Sequence, residues 1–174
     1  MPAIFTIGHS TRKIEDFIAL LQAHGVQDLI DIRTVPRSRT NPQFNRETLP
    51  TSLQPDHIGY LHMPALGGLR HPRPDSLNTA WRNPSFRGYA DYMQTPEFTE
   101  AITRLIRLGC EKQIVIMCAE AVPWQCHRSL VADALTAREV SVEHIMSRTQ
   151  RQPHKLTPFA QIENTRVSYP GLIS

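Results

Sequence analysis

Short apolar runs alternate along this chain with segments whose apolar residues recur every three to four positions. That alternation limits the fold more than any other feature, because strands separated by helices pair in parallel. Ile4, Phe5 and Ile7 form a first strand ended by Gly8. Ile14, Phe17, Ile18 and Leu21 then mark a helix, with Ser10 or Thr11 as its cap, Glu15 and Asp16 at its positive end and Gly25 closing it. "VQDLIDIR" (26–33) reads as a second strand, and "IGYLHM" (58–63) as a third after a short helix near 46–54. "FRGYADYM" (86–93) suits a helical turn. "TPEFTEAITRLIRLG" (95–109) is a marked helix, with Thr95 as cap, Pro96 in its first position and Gly109 past its end. "KQIVIMC" (112–118) is the clearest strand, followed by a helix, "CHRSLVADALTAR" (126–138), and a fifth strand, "VSVEHIM" (140–146).

The expected fold class is therefore α/β: a single domain with a mostly parallel central sheet of about five strands flanked by helices, Rossmann-like and three-layered. The domain is expected over 1–146, with a long loop or lid at about 64–85, dense in Pro, Gly and Arg. Residues 147–174 are polar and without clear period, and read as a C-terminal tail packed on or extending from the domain.

A chain of 174 residues can bury a core unaided. It holds no apolar run long enough for a transmembrane helix, its first residues read as a strand rather than a signal segment, and no membrane partner is expected. Three cysteines are too few, and odd in number, for a secreted disulfide framework, so a reducing cytoplasm is the expected setting. Net charge is only +3, but the basic residues are 16 arginines against three lysines. Residues 33–87 carry eight of those arginines and only Glu47, Asp56 and Asp75, a local charge of +5. The guanidinium fork matches phosphate, so a phosphorylated small molecule or nucleic acid is the expected partner.

Ligands of open parallel sheets bind beyond the carboxyl ends of the strands. Those ends carry His9 and Ser10, then Asp31 and Arg33, then Tyr60, His62, Gly67 and Gly68, then Cys118 and Glu120, with His144 on the fifth strand. Cys126, His127 and Arg128 fall near the start of the helix after Cys118, where free backbone N–H groups favour a thiolate or an anion. Cys118, Glu120, Cys126, His127, His9 and Asp31 are the candidates for chemistry. Ser10, Arg33, Arg37, Tyr60, His62, Gly67, Gly68, Tyr89 and Arg128 are the candidates for holding substrate. Asp31 and Arg33, two apart on one strand, either pair with each other or divide between orienting a histidine and meeting the ligand.

The leading expectation is an enzyme of hydrolysis or group transfer acting on a phosphate-bearing substrate, such as a nucleotide or nucleic acid. One alternative is a non-catalytic nucleic-acid-binding module using the arginine-rich face. Another is a metal-binding protein in which Cys118, Cys126 and His127 ligate a divalent metal, with His9, His62 or Glu120 completing the set. No paired CxxC or HxxxH spacing supports the metal. Ten residues from Cys118 to Arg128 are too many for a tight phosphatase-type loop. A constitutive disulfide between Cys118 and Cys126 is not expected, and Cys110 reads as structural.

"TIGHS", "DIRTVPRS", "YLHMPALGG", "GYADYM" and "MCAEAVPWQCHR", followed by "HI", resemble the domain-of-unknown-function family numbered 488, in order over about residues 4–145. The resemblance implies a small, mostly bacterial, cytoplasmic α/β domain and no settled activity. It groups His9, Ser10, Asp31, Arg33, Pro36, Tyr60, Gly67, Gly68, Tyr89, Cys118, Glu120, Cys126, His127 and Arg128 without assigning any of them a role.

Overall fold

A strand with five apolar residues and no polar one is stable only where both faces are covered. Strand β4 (Ile114–Cys118) is buried along its whole length and takes that place. It lies between β1 (Ile4–Gly8) and β2 (Asp28–Asp31), parallel to both. The structure, a computed structural model, describes residues 2–171. With β3 (Gly59–His62), β5 (Val142–Ile145) and β6 (Arg151–Pro153), the sheet runs in the order β3-β2-β4-β1-β5-β6. Only β6 is antiparallel, paired with β5. Strands β7 (Gln161–Glu163) and β8 (Arg166–Ser168) form a separate hairpin.

Helices cover both faces, giving three layers. Helices α1 (Ile14–Ala23) and α2 (Leu49–Leu53) bring Phe17, Leu21, Leu49 and Leu53 onto Phe5, Ile7, Leu29, Val115 and Met117. On the opposite face α3 (Pro84–Tyr92), α4 (Pro96–Glu111) and α5 (Arg128–Ala137) pack on Ile4, Ile30, Ile32, Ile114 and Ile116. Helix α4 buries Phe98, Ala101, Ile102 and Leu105 on one stripe. Each such large apolar side chain, fully buried, contributes about 1.5–3 kcal/mol. Helix α5 is different: its first eight residues are all buried, including Arg128, Ser129 and Asp133. Buried charges of that kind must find partners.

Several local expectations are corrected. Neither Ser10 nor Thr11 caps α1. The helix begins after Lys13, which makes no side-chain cap bond, and Ser10 instead adopts a left-handed conformation with φ 53°. Gly109 lies inside α4 rather than beyond it, whereas Thr95 does accept from the Phe98 N–H at 3.4 Å. Cys126 is extended, and α5 starts two residues later than expected. Segment 86–93 is not a single turn but part of the nine-residue α3. The tail adds the sixth strand and buries Val167 and Tyr169 in the core.

The segment from Pro64 to Asn83 is largely irregular, and Asp91 of α3 fastens it. The Asp91 carboxylate accepts from the Arg73 N–H, the Ser76 hydroxyl and the Asn78 amide at 2.8, 2.6 and 2.7 Å. The Asn78 amide oxygen in turn accepts from the Tyr169 N–H, joining this segment to the end of the described chain.

Candidate functional site

In-register pairing sets Gly8 beside Cys118 and Asp31 beside His62, so the named groups do gather along the carboxyl edge of the sheet. Side chains alternate between faces, however, and this divides them. Asp31 and Tyr60 lie on the α1–α2 side, whereas Thr6 and Cys118 lie on the α3–α5 side.

On the α1–α2 side, mutual pairing is the arrangement found for Asp31 and Arg33. The carboxylate accepts Arg33 Nε at 2.9 Å and Nη2 at 2.7 Å, the Arg33 N–H at 3.1 Å and the Tyr60 hydroxyl at 2.5 Å. Its acceptor capacity is thereby filled. Burial and this bond to Asp31 push the Tyr60 phenol above its ordinary value. Arg33 also donates to the Phe44 carbonyl and to His9 Nε2. Asp31 thus pairs with Arg33 and Tyr60 and makes no bond to His9, and most of Arg33's donors are engaged within the protein. His9 donates from Nδ1 to the Ser10 carbonyl and stacks on Phe44 at 4.3 Å. His62 donates to the Arg33 carbonyl at 2.7 Å. Arg37 stays at the surface, 3.8 Å from Glu47.

On the other side, the loop after β4 brings Cys118, Cys126 and His127 together. His127 Nε2–H donates to the Ile32 carbonyl at 2.9 Å, which leaves Nδ1 unprotonated and 3.3 Å from Cys126 Sγ. Burial lowers the imidazole to a pKa of about 4, against the carbonyls of Ile32 and Leu66, so it stays neutral. Cys126 also donates to the Cys118 sulfur. Burial alone would raise the Cys118 thiol, but that bond and the Arg128 charge bring it below its ordinary value. Cys126, as donor beside a thiolate and buried as well, is raised. The Cys118 thiol also reaches the Glu120 carbonyl at 3.6 Å, and no disulfide joins the two sulfurs. Tyr89 supports His127 from behind, ring to ring at 5.0 Å, while its hydroxyl donates to the Leu66 carbonyl. A Cβ on Gly68 would sit 3.2 Å from His127 Nδ1, so glycine keeps that nitrogen uncrowded. Gly67 packs against Thr34 and presents its carbonyl to Arg70.

Arg128 is wholly buried and holds this loop. It donates to Thr6 Oγ1 at 2.7 Å, to the Glu120 carbonyl at 2.8 Å and to the Ala121 carbonyl at 3.3 Å. Its Nε–H has no geometric partner among the described residues. Like Arg33, it has most of its donors engaged by the protein. Glu120 contributes its backbone here and leaves its side chain exposed. Arg12, which the sequence did not single out, reaches the carbonyls of Gly8 and His9 at the same edge. Among the described residues no three His, Cys, Asp or Glu side chains form a group able to hold a metal. No described helix is long and apolar enough to cross a membrane.

The family described as "Domain of unknown function DUF488" matches residues 13–135, more than two thirds of the chain. The chain belongs to this family. The DUF488 match runs from the start of α1 into α5. It takes in Asp31, Arg33, Tyr60, Tyr89 and the whole cysteine loop, and it leaves His9, Ser10 and His144 outside. No curated protein and no solved structure matches the chain.

A buried relay that the sequence did not reveal extends from Arg128 across the DUF488 domain. The Thr6 hydroxyl, accepting from Arg128, bonds His144 Nδ1 at 2.5 Å, and His144 Nε2 bonds His154 Nδ1 at 2.9 Å. His154 Nε2 donates to Asp133 Oδ1 at 2.7 Å. Asp133 thus anchors one end of the relay and Arg128 the other. Only two hints of it exist in the sequence: Thr6 interrupts the apolar β1, and Asp133 stands within "LVADAL".

This burial makes the DUF488 domain acid-sensitive. Desolvation lowers His9 and His127 to about 4 and His144 to about 3, from an ordinary 6.5. Below 6.5 the unfolded chain binds these protons and the folded one does not. Stability should be full above that value and fall by several kcal/mol as pH drops toward 4. Urea unfolding midpoints at neutral and acid pH measure this, and a flat profile would contradict it.

Proposed function

We infer that the protein is a thiol-dependent enzyme of hydrolysis or group transfer acting on a phosphate-bearing substrate, from a nucleotide to nucleic acid, in a reducing cytoplasm. One observation carries this reading. Cys126 lies beside the Cys118 sulfur and 3.3 Å from the unprotonated His127 Nδ1, in the loop at the carboxyl end of the central strand. Cys126 is the more exposed sulfur, 8% against 1%, and is the attacking atom. Passing its proton to His127 Nδ1 turns it into a thiolate, the reactive form. Support for an anionic substrate comes from Arg37, Arg39 and Arg46, exposed on the segment after β2, and from half-buried Arg12.

The test pairs alkylation by iodoacetamide with hydrolysis of bis(p-nitrophenyl) phosphate. One thiol should react fast at neutral pH, with an inflection below the usual value of about 8.5. Cys118→Ser should return that inflection toward the usual value. Cys126→Ser should abolish the fast phase and turnover with little change in melting temperature. His127→Gln should cost roughly 10²–10⁴-fold in rate. Thiols that all react slowly, with ordinary inflections, would remove the basis for the assignment. The exposed arginines also support a second reading, a nucleic-acid-binding module. That reading requires affinity for RNA or DNA that falls steeply with salt and is indifferent to Cys126→Ser.

A further inference from the structure

Behind the cysteine loop, on the α5 side of the sheet, lies a cavity of about 340 Å³, at the small end of the range for small-molecule sites. Trp81, Trp124, Phe159, Lys155, His144 and His154 are among its walls. The chain has two tryptophans, and both line it.

Three features define what would fit. Trp124 is 61% exposed, a large flat apolar face open to solvent beside a cavity. Trp81 is held edge-on by Phe159 at 4.9 Å, Phe86 at 5.0 Å and Tyr169 at 5.5 Å, yet its buried Nε1–H finds no acceptor among the described residues. That nitrogen has no accessible surface, so Trp81 offers the cavity an aromatic wall and not a donor. Finally, Lys155 is an exposed ammonium, and no carboxylate side chain lines the cavity to neutralise it. The two histidines do not compete as donors, since each has both ring nitrogens engaged in the relay.

We propose that this cavity binds a small planar heteroaromatic anion of nucleotide type, its ring on Trp124 against the aromatic wall of Trp81 and its anionic group at Lys155. The site does not depend on the thiol chemistry. It touches the cysteine loop through Pro123 and Trp124, and the catalytic reading could fail while this one stands.

AMP is the probe, followed by calorimetry and by tryptophan fluorescence, which reports only on this cavity. AMP should bind saturably with Kd below about 1 mM. Trp124→Ala should weaken it at least ~10-fold, by loss of stacking. Lys155→Ala should weaken AMP about fivefold and leave adenosine unchanged, since only the nucleotide carries the charge. Trp81→Phe, checked by melting temperature for an intact fold, should keep most of the AMP affinity, and Cys126→Ser should change nothing. Absence of saturable AMP binding, AMP binding indifferent to Trp124→Ala, or inorganic phosphate binding as tightly as AMP would each overturn the proposal. So would preference for a proline-rich peptide over AMP, because an aromatic groove can serve that partner instead.

Discussion

Asp133→Ala should lower the unfolding free energy by about 3–5 kcal/mol, the cost of stranding buried groups that rely on a charge. The carboxylate is fully buried and accepts four bonds: His154 Nε2 and the Thr157 N–H on one oxygen, the Thr157 and Tyr169 hydroxyls on the other. All four donors belong to the segment after β5, so the loss should appear first there. Trypsin should cut at Lys155 or Arg166 in the variant well before the sheet unfolds, and urea titration should show the reduced midpoint. Asp133→Asn keeps the shape and should lose less, because the two hydroxyls can rotate while His154 cannot. A loss below about 1 kcal/mol would mean that the relay contributes no more than an ordinary hydrogen bond.

The second large effect is expected at Gly8. A Cβ there would lie 1.7 Å from the Glu120 carbonyl oxygen, 2.4 Å from its carbon and 2.8 Å from Ala121 Cα. All three are backbone atoms, and the carbonyls of Glu120 and Ala121 are those that Arg128 holds. Gly8→Ala must therefore move the cysteine loop and strip acceptors from a buried guanidinium. More than about 3 kcal/mol should be lost, with a melting temperature lower by roughly 10 °C. Gly25→Ala is the control. Its φ is +67° but nothing lies within 4 Å, so only the backbone penalty of about 1 kcal/mol applies. Equal losses at the two glycines would refute the steric argument.

The contrast between legible and hidden features follows from what each depends on. Strand β4 and helix α4 were plain because burial on two faces and on one stripe writes directly into residue type. That His9, Asp31, Cys118 and their neighbours share one edge was also legible, since parallel pairing sends every strand end the same way. Their division between two faces was not, because it depends on the registers Gly8 to Cys118 and Asp31 to His62. Nor was the fate of the arginines. Arg33 and Arg128 look from sequence like anion holders, but in the structure their donors meet Asp31, Phe44, Thr6 and Glu120. Strand β6 escaped notice because its three residues are exposed and carry no apolar pattern. Its place is fixed by backbone pairing with β5 and by Arg151, which meets Glu143, His24 and the Phe5 ring.

The position of Asp133 also bears on how the chain is made. Helix α5 emerges from the ribosome before the groups that satisfy its carboxylate, the last of them Tyr169, 36 residues later. At elongation rates of about 5–20 residues per second, roughly two to seven seconds separate the two. For that interval an acidic group sits in the middle of a helix that is otherwise ready to bury itself. The nascent α5 should dock loosely, and the sheet's second face should close only when His154, Thr157 and Tyr169 arrive. On that expectation, Asp133 ties the closing of the domain's second face to the later segment that carries its donors.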